Sequence, residues 1–278
     1  MAQHQPIRRI LSAVFFIPIL LYCLFSHSRY PWGLGILIAF VSLLGTREFY
    51  HFVKVKGCSP FCLFGYLMAL FFCACGVFWP YLASPTQITI FLILGSFLLG
   101  IYNYNPKNNH SLLRISTTVL GVLYIALPLS LLLYIWQLPR GGYYLFWLIG
   151  VTWFCYTGAY AVGTIFGKHK LCPAISPNKT IEGAIGGILF SLITAIIITW
   201  IFDHYYVTRL FSPMLNLVYA FCIAIITQLG DLAESILKRE VGLKDSGNTY
   251  TGHGGILDII DSLLFTGPAL YLIMKIYH

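Results

Sequence analysis

The chain has 278 residues, 58% of them hydrophobic and only 9% charged, with a mean hydropathy of +0.80. Apolar runs recur along nearly its whole length, which excludes a large soluble domain and indicates a multi-spanning membrane protein. The formal net charge of +8 does not make it a nucleic-acid binder, because no separate basic domain exists and the basic residues are spread over short segments.

A hydrocarbon core about 30 Å thick is crossed by about 20 apolar residues of helix. Windows of that size predict helices at Ile10–Phe25, Pro31–Tyr50, Pro60–Pro80, Gln87–Tyr102, Ile115–Trp136, Tyr143–Phe166, Gly183–Phe202, Met214–Leu237 and Ile256–Tyr277. The expected fold class is all-α, a polytopic integral membrane protein of about nine transmembrane helices with a cytoplasmic N-terminus. Arg8 and Arg9 precede the first run as in a signal peptide, but no small-residue cleavage position follows, so the segment reads as an uncleaved first helix.

Basic residues choose the orientation. With the N-terminus inside, the inner segments hold Arg8, Arg9, Arg47, Lys54, Lys56, Lys107, Arg114, Lys168, Lys170, Lys179, Lys238, Arg239 and Lys244, while Arg29, Arg140, Arg209 and Lys275 fall outside. Trp32, Trp79 and Trp136 lie near predicted helix ends, as in an interfacial aromatic belt. Two glycosylation patterns, at Asn109 and Asn178, fall on the inner side and are discounted. The eight cysteines lie mostly in apolar runs without CxxC spacing, so they read as packing residues rather than a disulfide framework or a zinc site.

Residues 1–140 read as scaffold helices, within which Glu48 beside Arg47 reads as a local charge pair at a helix end. Residues 141–278 read as the catalytic region, with cytoplasmic loops at 167–182 and 238–255. The spans leave no room for a soluble catalytic domain, so chemistry falls to the inner loops and the inner halves of helices.

Six of the nine acidic residues, Asp231, Glu234, Glu240, Asp245, Asp258 and Asp261, occupy one 31-residue stretch. A carboxylate at the centre of a spanning helix costs roughly 2.5–3.5 kcal/mol on insertion scales, so a group of them calls for a cation, a proton or water. Asp231, Glu234 and Ser235 stand at i, i+3 and i+4 and share one helix face. Asp258 and Asp261 repeat the i, i+3 spacing on the next helix. Together Asp231, Asp258, Asp261 and Glu234 are candidate oxygen ligands for a hard cation such as Mg²⁺. Asp258 and Asp261 also suit a second role, as first-turn carboxylates favouring a helix N-terminus.

Between the pairs lie Lys238, Arg239, Lys244 and Asp245, then His253-Gly254-Gly255, where glycines allow close backbone approach and exposed N–H groups favour anions. The earlier loop offers Lys168, His169, Ser176, Lys179, Thr180 and Glu182, with lysines as point charges for phosphates and hydroxyls as hydrogen-bonding groups. The pattern GxxxxGK[ST] is absent, so this is not an ordinary P-loop. These groups together suit a polyphosphate.

At these residues the chain resembles the CDP-diacylglycerol synthases, or phosphatidate cytidylyltransferases. The resemblance is carried by Gly158-Ala-Tyr160, Phe166-Gly-Lys168-His169-Lys170-Leu171, Ser176-Pro177-Asn-Lys179-Thr180-Ile-Glu182-Gly183, Gln228-Leu-Gly230-Asp231-Leu-Ala-Glu234-Ser235, Lys238-Arg239, Lys244-Asp245-Ser246-Gly247 and His253-Gly254-Gly255-Ile-Leu-Asp258, with Asp261-Ser262 following. It covers about residues 150 to 265, and several spaced motifs occur in order; the first half is similar only in hydropathy. It implies an integral membrane enzyme that condenses CTP with phosphatidate to CDP-diacylglycerol and pyrophosphate, assisted by Mg²⁺.

By the same resemblance, Asp231, Asp258, Lys238, Arg239 and Lys244 are the catalytic candidates, and Lys168, Ser176, Lys179, Thr180, Asp245, His253, Gly254 and Gly255 the substrate-binding ones. Membrane lipids are the surrounding partners, a homodimer is compatible with the resemblance, and the expected location is a bacterial inner (cytoplasmic) membrane. Two positions depart from the family pattern. Tyr156 stands where an acidic residue precedes Gly-Ala-Tyr, and Ile259 where an arginine follows Asp258, a change that removes a planar fork. Two competing readings are a family member that binds CTP or lipid with little turnover, and a cation-coupled transporter built on the same intramembrane carboxylates.

Overall fold

A computed structural model describes residues 17–26, 29–79, 81–105, 110–205, 210–243, 246–247 and 254–277. Helix α1 covers residues 17–25 within that range. It is followed by α2 (Trp32–Val55), α3 (Cys62–Val77), α4 (Pro85–Tyr102), α5 (Ser111–Gly121), α6 (Leu127–Trp136), α7 (Gly141–Phe166), a hairpin of β1 (Lys170–Cys172) and β2 (Ser176–Thr180), α8 (Ile181–Tyr205), α9 (Pro213–Glu240), α10 (Leu257–Ile260) and α11 (Leu263–Tyr277). The protein is all-α and polytopic. Among the described residues seven helical segments are long and apolar enough to cross a membrane, and α3 is a shorter apolar helix.

Three departures from the predicted elements have local causes. Residues 111–136 form one helical rod whose middle, Val122–Ala126, widens into a π turn. Pro128 follows within two residues, and its missing N–H and its ring, which collides with the carbonyl four residues back, favour such a loosened turn. The last predicted helix is interrupted at Asp261-Ser262, which separates α10 from α11. Segment 167–182, expected as a loop, contains the antiparallel hairpin, with Lys170 opposite Thr180 and Cys172 opposite Ser176. Strands this short, flanked by Pro173 and interrupted by Pro177, lie below the length at which alternation is readable.

The chain divides into two compact units. The first takes the chain up to Tyr134 and returns for Glu240–Ile260. Its core is Ala69, Phe72, Cys75, Ile88, Leu92, Val122 and Ala126, from α3, α4 and the π turn. Helix α4 begins with a capping box, the Ser84 hydroxyl accepting from Gln87 N and the Gln87 side chain accepting from Ser84 N. The Tyr50 hydroxyl donates to Thr118 O at 3.0 Å, joining α2 to α5.

The second unit takes Ile135–Arg239 and the chain from Asp261 onward. Its main packing is α7 against α8, where small residues let the backbones approach. A Cβ at Gly186 would lie 2.5 Å from Val162, and one at Gly158 would lie 2.6 Å from Phe190. The Ser191 hydroxyl donates to Val151 O at 3.1 Å, and Trp147 Nε1 donates to Asn216 Oδ1 at 2.9 Å, tying α7 to α8 and to α9. Ile185, Leu189, Ile193, Ile196 and Trp200 recur at three- and four-residue steps on α8 and are exposed, the outward apolar stripe of a lipid-facing helix.

Candidate functional site

In the second unit the hairpin is fastened from three directions. The Thr180 hydroxyl, at the end of β2, accepts Gly183 N–H at 3.1 Å and so caps α8. From the first turn of α8, the Glu182 carboxylate accepts the N–H groups of Lys168 at 3.1 Å and His169 at 3.2 Å, and it lies 2.6 Å from His169 Nδ1. Arg239 Nε donates to Ile175 O at 3.2 Å, which ties the hairpin turn to the end of α9. These contacts give Thr180, His169, Glu182 and Arg239 positioning duties, and the Lys168 side chain remains exposed.

Beneath the hairpin is a cavity of about 580 Å³. Its walls include Tyr156 and Tyr160 from α7, Ser176, Asn178 and Lys179 from β2, and Gln228 and Asp231 from α9. That volume is in the range of small-molecule and cofactor sites. Lys179 Nζ is sealed from solvent and forms an ion pair with Asp231 Oδ2 at 2.7 Å. One turn along α9, fully buried Glu234 pairs with Lys238 at 2.5 Å, the i, i+4 arrangement that the sequence spacing allows.

Asp261 adds a further carboxylate to this unit. It is buried, accepts from the Tyr156 hydroxyl at 2.8 Å and from Ser262 N–H at 2.5 Å, and lies within electrostatic reach of Asp231. Tyr156 also contacts the Ser262 hydroxyl, which in turn donates to Thr227 O on α9 at 2.8 Å. Gly230 permits this approach, since a Cβ there would come 3.0 Å from Asp261 O and from Ser262 Cα. Tyr156, at the position expected to be acidic, therefore serves as a hydrogen-bond donor to an acidic residue.

Asp258 belongs to the first unit. Its Oδ2 accepts from Ser246 N at 2.9 Å, the Ser246 hydroxyl at 2.9 Å and Gly255 N at 2.8 Å. Gly254 precedes this turn with a φ of 81°, a conformation that glycine adopts without strain. In the same unit Glu48 accepts from Ile256 N, Leu257 N and the Ser246 hydroxyl, each at 3.0 Å. Beyond the local pairing with Arg47 that the sequence suggests, Glu48 is buried while Arg47 is exposed, because adjacent helical residues point about 100° apart, and Glu48 reaches the turn before α10. An acidic residue next to an otherwise apolar helix face was the available signal for Glu48. Lys244, Asp245 and His253 lie outside the described residues.

Among the described residues, no group of three or more His, Cys, Asp or Glu side chains could hold a metal ion on its own. Mg²⁺ at nucleotide sites commonly takes one or two protein carboxylates, with substrate phosphates and water completing the shell. Asp231 at the cavity wall is one such carboxylate, and Asp261 is a second in the same unit, close enough for the two charges to interact.

Comparison with known proteins gives a consistent result. The family described as "Cytidylyltransferase family" matches residues 7–277 of the chain. The chain is similar to the phosphatidate cytidylyltransferase of Staphylococcus haemolyticus (strain JCSC1435), 40% identical over 184 residues that make up 66% of this chain and 68% of the relative. It is also similar to the protein of that name from Bacillus subtilis (strain 168), 39% identical over 196 residues, 70% of each chain.

Proposed function

This chain belongs to the cytidylyltransferase family, and we propose that it condenses CTP with phosphatidate, giving CDP-diacylglycerol and pyrophosphate for phospholipid synthesis. The observation that carries the site assignment is the Lys179–Asp231 ion pair in the wall of a nucleotide-sized cavity on a membrane-spanning scaffold. The names of the relatives support both substrates. The thirteen-to-four distribution of basic residues supports a cytoplasmic N-terminus and about nine crossings, and the bacterial relatives support an inner-membrane location.

In this reading a phosphatidate phosphate oxygen attacks the α-phosphorus of CTP. A new P–O bond forms as the bond between the α-phosphorus and its bridging oxygen breaks, and pyrophosphate leaves with that electron pair. A phosphate monoester has a second pKa of about 6, so its attacking oxygen is already largely ionised near neutral pH and no strong base is required. Lys179 supplies positive charge at the cavity wall, and Ser176, Asn178 and Gln228 offer hydrogen-bonding groups around it. Lys238 and Arg239 place two more cations at the end of α9, with Lys168 on the hairpin side. Tyr156 holds the Asp261 carboxylate in place, and Asp231 faces the cavity. Asp231 and Asp261 would hold Mg²⁺, which when bound neutralises phosphate charge and lowers the barrier to displacement. Asp258, held on the turn before α10 with Gly254 and Gly255, is assigned to the reaction, and Lys244, Asp245 and His253 are assigned by the family resemblance alone. The acyl chains remain in the bilayer.

The assignment is tested by Asp231→Asn in purified protein reconstituted with phosphatidate, CTP and Mg²⁺. Formation of CDP-lipid is expected to fall by about 10²-fold or more, the scale for losing one preorganised electrostatic group. A variant as active as the parent protein would remove Asp231 from the site.

A further inference from the structure

We propose that Glu48 is a positioning residue for the cytidylyl transfer, acting through Ser246 on the turn that carries Asp258. The proposal rests on the reading above, in which Asp258 serves the reaction. Glu48 lies on α2, in the half of the chain that its sequence marks only as scaffold. It is 8% exposed, and a buried carboxylate in such an apolar helix carries a desolvation cost that packing alone gives no reason to retain.

Both of its oxygens accept from one short piece of chain. Oε1 accepts Ile256 N–H, and Oε2 accepts Leu257 N–H and the Ser246 hydroxyl. Asp258 Oδ2 takes the same Ser246 hydroxyl and the N–H groups of Ser246 and Gly255. Ser246 has a single hydroxyl hydrogen, so it stands as a pivot between two carboxylates, donating to one at a time. Glu48 thereby fixes the backbone on both sides of Asp258's donors, and Asp258 cannot turn without disturbing Ser246. The fit is close at Gly255, where an added Cβ would come 2.5 Å from Glu48 Oε2 and 2.7 Å from Gly247 N. A carboxylate is the one side chain that offers two acceptor oxygens and no donor to this array of N–H and O–H groups. Glutamine at this position would turn an NH₂ group toward either the Ile256 N–H or the Leu257 N–H and Ser246 hydroxyl.

The test is steady-state kinetics of the full chain in lipid nanodiscs, with thermal unfolding measured alongside. Glu48→Gln is expected to lower kcat about tenfold or more with KM for CTP little changed, since it misplaces a group needed in the transition state rather than removing a ground-state contact. Glu48→Asp keeps the charge but withdraws it by one methylene, and is expected to recover part of that loss. Combining Glu48→Gln with Ser246→Ala should cost clearly less than the product of the two single effects, because both break the same linkage. Parental kcat in Glu48→Gln, or fully multiplicative losses in the double variant, would overturn the proposal. If Glu48→Gln does not fold, Glu48→Asp decides: folded protein with parental kcat overturns the positioning role, and folded protein with reduced kcat supports it. Asp258→Asn separates the two levels. An active Asp258→Asn protein refutes the underlying site reading, whereas an inactive one beside a fully active Glu48→Gln refutes positioning alone.

Discussion

Lys179→Met removes the cation nearest Asp231 while keeping the apolar length of the side chain. The charges sit 2.7 Å apart, and the two side chains are 26% and 23% exposed. At an effective dielectric constant of about 20 their attraction is about 6 kcal/mol, most of which offsets the cost of desolvating both groups. Breaking a fully buried pair costs about 3–5 kcal/mol, and the partial exposure here lowers the expected loss of stability to about 1–3 kcal/mol. The catalytic loss has a separate origin: a missing phosphate-neutralising charge at a preorganised site corresponds to about 2.7–4 kcal/mol, or about 10²–10³-fold in rate. The assay follows transfer of the α-phosphate label of CTP into lipid, with thermal unfolding of the same preparation. The double variant Lys179→Met/Asp231→Asn, which leaves neither charge alone, should regain much of the stability and none of the activity. Near-parental kcat/KM in Lys179→Met, or recovery of activity in the double variant, would show that the pair serves only the fold.

Tyr156→Phe removes the 2.8 Å hydrogen bond to Asp261 and leaves a buried carboxylate short of one donor, so a stability loss of about 1–3 kcal/mol is expected in thermal unfolding; an unchanged midpoint contradicts it. Tyr156→Asp instead sets a third carboxylate among Asp261 and Asp231. Its thermal midpoint should be lower without Mg²⁺ and should rise more on Mg²⁺ addition than that of the parent protein, and an equal Mg²⁺ response in both proteins would count against a metal between these side chains. Gly186→Leu drives a side chain into Val162 at the α7–α8 contact, so folded yield should fall sharply, while Ile185→Leu on the exposed face should leave it intact.

The membrane helices were legible because an apolar run long enough to cross a bilayer has few alternative explanations, and each predicted window contains helix in its described part. Asp231, Glu234 and Ser235 were legible as a set, since helical spacing places them on one face whatever surrounds the helix. The hairpin was not, because strands of three and five residues with Pro173 and Pro177 produce no period. Tyr156 read as a departure from a motif. Its role became apparent only with the approach of Asp261, 105 positions later in the chain. Glu48 was obscured by Arg47, whose neighbouring opposite charge suggested a local pair, whereas the partners of Glu48 in and before α10 lie 198 to 209 positions away. Contacts of that separation depend on how α2 and the turn before α10 pack, which no local pattern encodes.

The most direct measurement of the central claim is the fate of both ends of CTP in purified, reconstituted protein supplied with phosphatidate and Mg²⁺. Label at the α-phosphate should appear in CDP-diacylglycerol, and label at the γ-phosphate in pyrophosphate, in equal amounts and only when phosphatidate is present. Pyrophosphate release that is indifferent to phosphatidate, or CTP binding without any cytidine-bearing lipid, would contradict it.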